Sequence, residues 1–282
     1  MIAKVLGPLR VTLNGDSVVP TALKAKKLLA VLILNHGRVV QRATIERELW
    51  GEDAPASAST GIQNGVMQIR KSIGRCQRNM PWPRDPKGMV ITEPTGYRLD
   101  VSADPFDVTC HRKLVTEADQ AAAKGDLTLA SAQLNSALKL WRDAPLADVP
   151  LGPVLRAHVR RLEEDRRAVL SRRVTLDLRL GRYSEVIGEL HALVALNPYD
   201  ETLHEYLMLA LYLSGRRNDA LAVYQALRLA MIEDTGLEPS PHLHELQRCV
   251  LTGDGGPDEH LARRILGPTD ARGKREQRLT HA

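Results

Sequence analysis

Residues Ser57–Arg75 read SASTGIQNGVMQIRKSIGR. Ile62, Val66, Ile69 and Ile73 recur at intervals of four, three and four, which places all four on one face of a helix. Thr60, Asn64, Met67 and Lys71 fall on the opposite face, flanked by Gln63, Gln68, Arg70 and Arg75. That polar side carries amides, a hydroxyl and cations, and no carboxylate. Amides match adenine edges, Arg and Lys match guanine or phosphate, and a carboxylate would be repelled by phosphate. The pattern is that of a helix that reads DNA. Ser57 or Ser59 is the expected N-cap.

The segments on either side give this helix a context. Lys4–Leu13 and Ser17–Val19 are expected strands around the Asn14-Gly15-Asp16 turn, since Asn-Gly between such runs signals a hairpin. Ala22–His36 has helical spacing with Ala25, Leu28, Leu29, Leu32 and Ile33 inward, and Arg42–Trp50 is a shorter helix stopped by Gly51. After Ser57–Arg75, the Pro-rich loop 75–88 contains Trp82, expected to pack on the domain. Met89–Thr92 and Tyr97–Val101 then form a second expected hairpin around Glu93-Pro94-Thr95-Gly96. Helix, helix, helix, hairpin is the order of a winged helix-turn-helix, whose third helix enters the major groove while the hairpin lies along the backbone or the minor groove.

Charge agrees with this division. Residues 1–100 hold 15 Lys and Arg against 8 Asp and Glu, whereas residues 101–252 hold 18 against 21. A basic first part suits a polyanion, and a mildly acidic second part suits a different partner. The 282 residues contain one Phe and are 43% hydrophobic, so the core is built from Leu, Val, Ile and Ala and favours helices. No apolar run reaches the length of about 18 residues that a spanning helix needs, and the N-terminus lacks a signal-peptide pattern. A cytoplasmic, nucleoid-associated protein is expected, with Cys76, Cys110 and Cys249 reduced.

Beyond residue 101 the strand signals stop. Gly181 and Gly215 sit in Leu180-Gly181-Arg182 and Ser214-Gly215-Arg216, 34 residues apart, which is the tetratricopeptide period. Ile187, Leu190 and Leu193 match Leu221, Tyr224 and Leu227 at the same offset. The fold expected is mainly α: an N-terminal winged helix-turn-helix over 1–101, a tetratricopeptide-like helical domain over 102–252, and a disordered tail over 253–282. Trp141, Tyr183, Tyr206, Tyr212 and Tyr224 are expected in the core rather than in a ligand groove.

With these elements in order, the chain resembles the SARP-type family of antibiotic regulatory proteins, which join an OmpR-type winged helix to a bacterial transcriptional activator domain. The resemblance is carried by Leu6-Gly7-Pro8-Leu9-Arg10-Val11, Leu49-Trp50-Gly51-Glu52, Gln63 with Arg70-Lys71, and Thr92 with Gly96-Tyr97. In the second part it is carried by Leu140-Trp141-Arg142 with Pro145-Leu146-Ala147-Asp148, Asn197-Pro198 with Glu201, Ala220-Leu221-Ala222-Val223-Tyr224, and Glu233-Asp234-Thr235-Gly236-Leu237-Glu238-Pro239. It implies activation of secondary-metabolite genes through direct repeats near the promoter −35 element. Its implied partners are a second copy of the chain on DNA and RNA polymerase holoenzyme with its sigma factor. Gln68 stands where the family pattern calls for Arg. Gly61 and Gly65 each weaken the helix by about 1 kcal/mol relative to Ala, or else permit a close backbone approach.

The candidate DNA-contacting residues are therefore Thr60, Gln63, Asn64, Met67, Gln68, Arg70, Lys71 and Arg75, with Thr92, Thr95 and Arg98 in the hairpin. Asn64 and Gln68 are assigned to base edges, Thr60, Arg70 and Lys71 to phosphates, and Met67 to a thymine methyl. Lys24, Lys26 and Lys27 open the first helix and face DNA, a neighbouring protomer or solvent. No metal set, phosphate-binding GxxxxGK[ST] loop, GxSxG or HExxH motif occurs, so no cofactor and no enzymatic activity is expected. A ligand-responsive repressor and a helical interaction scaffold are the rival readings.

Overall fold

The computed structural model describes residues 1–78, 81–101 and 106–252. The expected tail lies outside the described residues, as do positions 79–80 and 102–105. The chain divides into two compact units, Met1–Ser171 and the residues from Arg172 onward.

The first unit opens with an antiparallel sheet of β1 (Ile2–Lys4), β2 (Arg10–Leu13) and β3 (Asp16–Ser17). Asn14 and Gly15 both take positive φ, 54° and 87°, as a two-residue turn between twisted strands requires. The first strand is shorter than the expected Lys4–Leu13 run. Leu6, Gly7 and Val5 instead offer their carbonyls to the N–H groups of Arg142 and Leu146, so the stretch between β1 and β2 binds a later segment rather than a strand.

Three helices follow: α1 (Leu23–Leu34), α2 (Arg42–Trp50) and α3 (Ala58–Cys76). A strand absent from the expectation, β4 (Val39–Gln41), lies between α1 and α2. It pairs with β6 (Gly96–Leu99), which pairs with β5 (Val90–Glu93), giving the order β4-β6-β5. Three residues, of which only Val39 and Val40 are β-branched, are too few to signal a strand by alternation. The pairing partner supplies the reason for it, since Gly96 leaves room for the Val40 carbonyl, which would lie 1.9 Å from any Cβ at that position. The Pro-rich loop is also shorter than expected, because Pro86–Met89 forms a helical turn, α4, whose start is capped by Asp85. Trp82 does not pack; it is 89% exposed. Pro81 and Pro83 fix φ on either side of it, removing freedom the ring would need to fold back.

The remainder of this unit is α5 (Asp107–Ala123), α6 (Leu127–Leu138) and the start of α7 (Pro153–Arg179). Compactness and sequence character divide the chain at different places for a physical reason. Leu146, Val149, Leu155 and Val159 share one apolar core with Leu28, Ile45, Ile69 and Leu99 of the winged domain. Two buried carboxylates, Asp107 and Glu48, and an exposed one, Asp148, join the same parts. Asp107 accepts from the N–H groups of Val5 and Leu6, Asp148 from Leu9 N–H at 2.6 Å and Lys26 Nζ at 2.6 Å, and Glu48 from the N–H groups of Gly152, Val154 and Leu155. Burial pushes the Asp107 carboxyl up, against the pull of its amide donors and of Arg142. For Asp148, burial alone would act upward, but Lys26 and Leu9 N–H hold it below the usual carboxylate range.

The second unit contains the rest of α7, then α8 (Tyr183–Leu196), α9 (Glu201–Leu213), α10 (Arg217–Thr235) and α11 (Pro241–Thr252). Gly181 and Gly215 take φ of 73° and 82° in the turns that precede α8 and α10, so the 34-residue spacing marks two equivalent left-handed turns. Leu190 and Tyr224, matched at that offset, are both buried. Of the five aromatics expected inside, Trp141, Tyr206 and Tyr224 are buried and Tyr183 and Tyr212 are half-buried. Arg173 is buried and bonds Asp177 and Glu189, which ties α7 to α8. The Tyr224 hydroxyl and His244 Nδ1 lie 2.6 Å apart, so His244 serves packing between α10 and α11.

Candidate nucleic-acid interface

The α3 helix buries Ala58, Ile62, Gly65, Val66, Ile69, Ile73 and Cys76. The same periodicity leaves Thr60, Gln63, Asn64, Met67, Gln68, Lys71 and Arg75 exposed, so one continuous polar face carries seven of the eight helix residues expected to meet DNA. Its first turn holds no acidic residue. Ser57 occupies the N-cap without a side-chain hydrogen bond. Its φ of −84° and ψ of 6° are outside the extended region from which a cap hydroxyl reaches back into the first turn. The free N–H groups and partial positive charge at that end are a match for a phosphate.

Two of the three glycines of α3, Gly61 and Gly65, serve close approach. A Cβ at Gly61 would lie 2.9 Å from Cζ2 of Trp50, and one at Gly65 would lie 3.1 Å from Cδ2 of Leu28. The helix therefore gives up propensity to sit against α1 and α2. Trp50 is covered in turn by Lys24, whose Nζ is 4.6 Å from the ring centroid. Lys26 is held by Asp148, and Lys27 donates to the Glu48 carbonyl at 2.7 Å with the Glu48 carboxylate 3.7 Å away. The three lysines thus have partners inside the first unit.

Arg70 is set apart from its neighbours. It is half-buried, and its guanidinium donates to the Val90 carbonyl through Nε at 3.0 Å and Nη2 at 2.5 Å, and to Thr92 Oγ1 at 2.9 Å. This fork fixes the start of the wing against the middle of α3. Arg98 is similarly engaged, with Glu93 at 3.1 Å and Asp100 at 3.5 Å. Thr95 is exposed at the hairpin tip, and its carbonyl accepts from Arg42 N–H. The sequence pattern could not separate Arg70 from Lys71, because the partner of Arg70 is a strand twenty residues away.

Among the described residues no group of His, Cys, Asp and Glu is arranged to hold a metal, and no helix is long and apolar enough to cross a membrane. All three cysteines are free thiols, and burial raises that of Cys76.

A three-helix winged domain with a carboxylate-free third helix, followed by repeated helix pairs, defines a DNA-binding regulator. A family model described as the bacterial transcriptional activator domain matches residues 106–251, and one described as the C-terminal part of transcriptional regulatory proteins matches residues 16–99. The regulatory protein DnrI of Streptomyces peucetius is 39% identical over 92% of this chain and 95% of its own length. The regulatory protein AfsR of Streptomyces griseus is 36% identical over 92% of this chain, which spans only 25% of AfsR. A solved structure of Mycobacterium tuberculosis EmbR, in complex with a low affinity phosphopeptide, superposes with a TM-score of 0.78 at 32% identity, covering 88% of this chain and 64% of that one. The chain belongs to the SARP-type family of transcriptional regulators, with an OmpR-type winged helix and a bacterial transcriptional activator domain. It is a DNA-binding transcriptional activator and not an enzyme.

Proposed function

We propose that this activator works in the cytoplasm, on nucleoid DNA, at promoters of secondary-metabolite genes, where two copies bind direct repeats near the −35 element head to tail and recruit RNA polymerase holoenzyme through its sigma factor. Residues 1–101 read DNA and residues 102–252 contact protein. The observation that carries this is the exposed α3 face, seven polar or apolar side chains without a carboxylate.

In this reading Asn64 and Gln68 meet base edges, and Gln63 assists from the flank. Thr60, Lys71 and Arg75 meet phosphates, and Met67, 61% exposed, meets a thymine methyl. Thr95 meets the backbone from the wing tip. Arg70, Thr92 and Arg98 act by holding the wing, since their polar atoms already have protein partners.

Footprinting upstream regions of the chain's own genomic neighbourhood, with and without RNA polymerase, tests the proposal. Protection of two repeats in one orientation, extended by polymerase, is the expected result. Protection of an inverted repeat would overturn the head-to-tail arrangement, and lowered initiation in a transcription assay would overturn activation at these promoters. The affinity should fall with salt, by about 0.9 in log-log slope for each neutralised phosphate.

A further inference from the structure

Within the first unit lies a cavity of about 340 Å³, inside the range of about 300–1,000 Å³ common for ligand pockets. Its walls come from β1, the end of α1, the turn before β4, the start of α5, and α7. Val5, Ile33, Phe106 and Leu162 supply apolar wall. Arg38, Arg112 and Arg161, all three solvent-exposed, also line it, from three separate elements, the turn before β4, α5 and α7. Among the described residues none of the three has a hydrogen-bond or ion-pair partner on its side chain. This sets them apart from Arg70, Arg98, Arg142 and Arg173, each of which is paired.

The one carboxylate in the wall does not neutralise them. Asp107 spends its oxygens on the N–H groups of Val5, Leu6 and Val108, and its nearest cation is Arg142 at 3.6 Å. His158 also lines the cavity, and its imidazole is held below the usual histidine range, first by burial and then by the charge of Arg161, with Arg112 adding to it and Glu48 opposing. Unpaired cations beside apolar wall leave a cavity suited to a solute with one charged end.

We propose that this cavity binds a small organic anion, one carboxylate, sulfonate or phosphate group on an apolar body. Arg38, Arg112 and Arg161 hold the charged group, and the body rests against Val5, Ile33, Phe106 and Leu162. Because the walls include both the winged domain and helices α5 and α7, a bound anion touches both parts of the unit that positions α3. The site is separate from the α3 face, so it stands or falls independently of the DNA-contact assignments.

The test uses the full chain and two probes of similar apolar body, anilinonaphthalene sulfonate and the uncharged phenylnaphthylamine, titrated by fluorescence and calorimetry. One saturable site for the sulfonate is expected, with the uncharged probe weaker by about tenfold or more. The double substitution Arg112→Ala with Arg161→Ala should weaken the sulfonate by a similar factor while leaving the far-ultraviolet circular dichroism unchanged. Thr109→Trp, which fills the cavity from its wall without removing a cation, should abolish binding of both probes there. Equal affinity for the two probes would overturn the proposal, as would sulfonate binding that survives either variant. Loss of about two units of DNA salt slope in the double variant, without any sulfonate site, would also overturn it and assign these cations to DNA.

Discussion

The carboxylate of Glu48, in α2, accepts a hydrogen bond from the backbone N–H of Gly152 at 2.7 Å, and with Val154 and Leu155 N–H it closes the start of α7. Gly152 has no room for a side chain, since a Cβ would lie 2.2 Å from the Glu48 carbonyl oxygen. A residue of the winged domain therefore does the work of an N-cap for a helix more than one hundred residues later. Positioning of α3 through α2 and folding of the activator-domain helices are parts of one energetic unit.

Glu48→Ala should consequently destabilise the whole first unit, by about 3 kcal/mol or more, because the N–H groups of Gly152, Val154 and Leu155 lose their acceptor and Lys27 loses its neighbouring carboxylate. Urea unfolding followed by circular dichroism measures this. A change below about 1 kcal/mol would mean that water replaces the carboxylate.

Fragments ending at residue 101 and at Ser171 should differ in stability. The shorter one loses Leu155, Val159, Leu146 and Val149 from its core, each buried side chain contributing on the order of 1.5–3 kcal/mol. Thermal unfolding of the two fragments side by side checks it. Equal midpoints would show that the winged domain is self-sufficient.

Asn64→Ala is expected to relax preference at one base position at a cost of about 1–3 kcal/mol on the best site, whereas Lys71→Ala should weaken all sequences alike and lower the salt slope by about one unit. Binding to a randomised operator library separates the two. Identical sequence profiles for both variants would remove the division into base and phosphate contacts.

Arg70→Ala should weaken DNA binding indirectly, by releasing the wing, and Arg70→Lys should not rescue it because an ammonium cannot bond both Val90 and Thr92 in a fixed fork. Hydrogen exchange should rise at the amides of β5 and β6 in the free protein. Unchanged exchange with weakened binding would make Arg70 a direct phosphate contact instead.

Acid stability should depend on Asp148. Its folded pKa is depressed by Lys26 and Leu9 N–H, so its stabilising effect is present above the unfolded value of about 3.9 and is lost as pH falls through the folded value. Asp148→Asn should flatten that acid limb in unfolding midpoints measured between neutral pH and strong acid. The same slope in both proteins would place the dependence on other carboxylates.

The sequence by itself determined the elements whose signals are local. The four-three-four spacing of Ile62, Val66, Ile69 and Ile73 set the buried face of α3 and, by subtraction, the exposed one. Asn14-Gly15 set the first hairpin turn, and the spacing of Gly181 and Gly215 set the helical repeat, because each depends on a backbone conformation or a periodicity within a few residues. The tertiary structure alone decided what depends on distant partners. Arg70 and Lys71 are adjacent cations until Val90 and Thr92 claim one of them. Glu48, Asp107 and Asp148 look like solvated acids until the amides of Gly152, Val5 and Leu9 reach them. A carboxylate gains a structural role only when buried donors converge on it, and that convergence is a property of the packed chain.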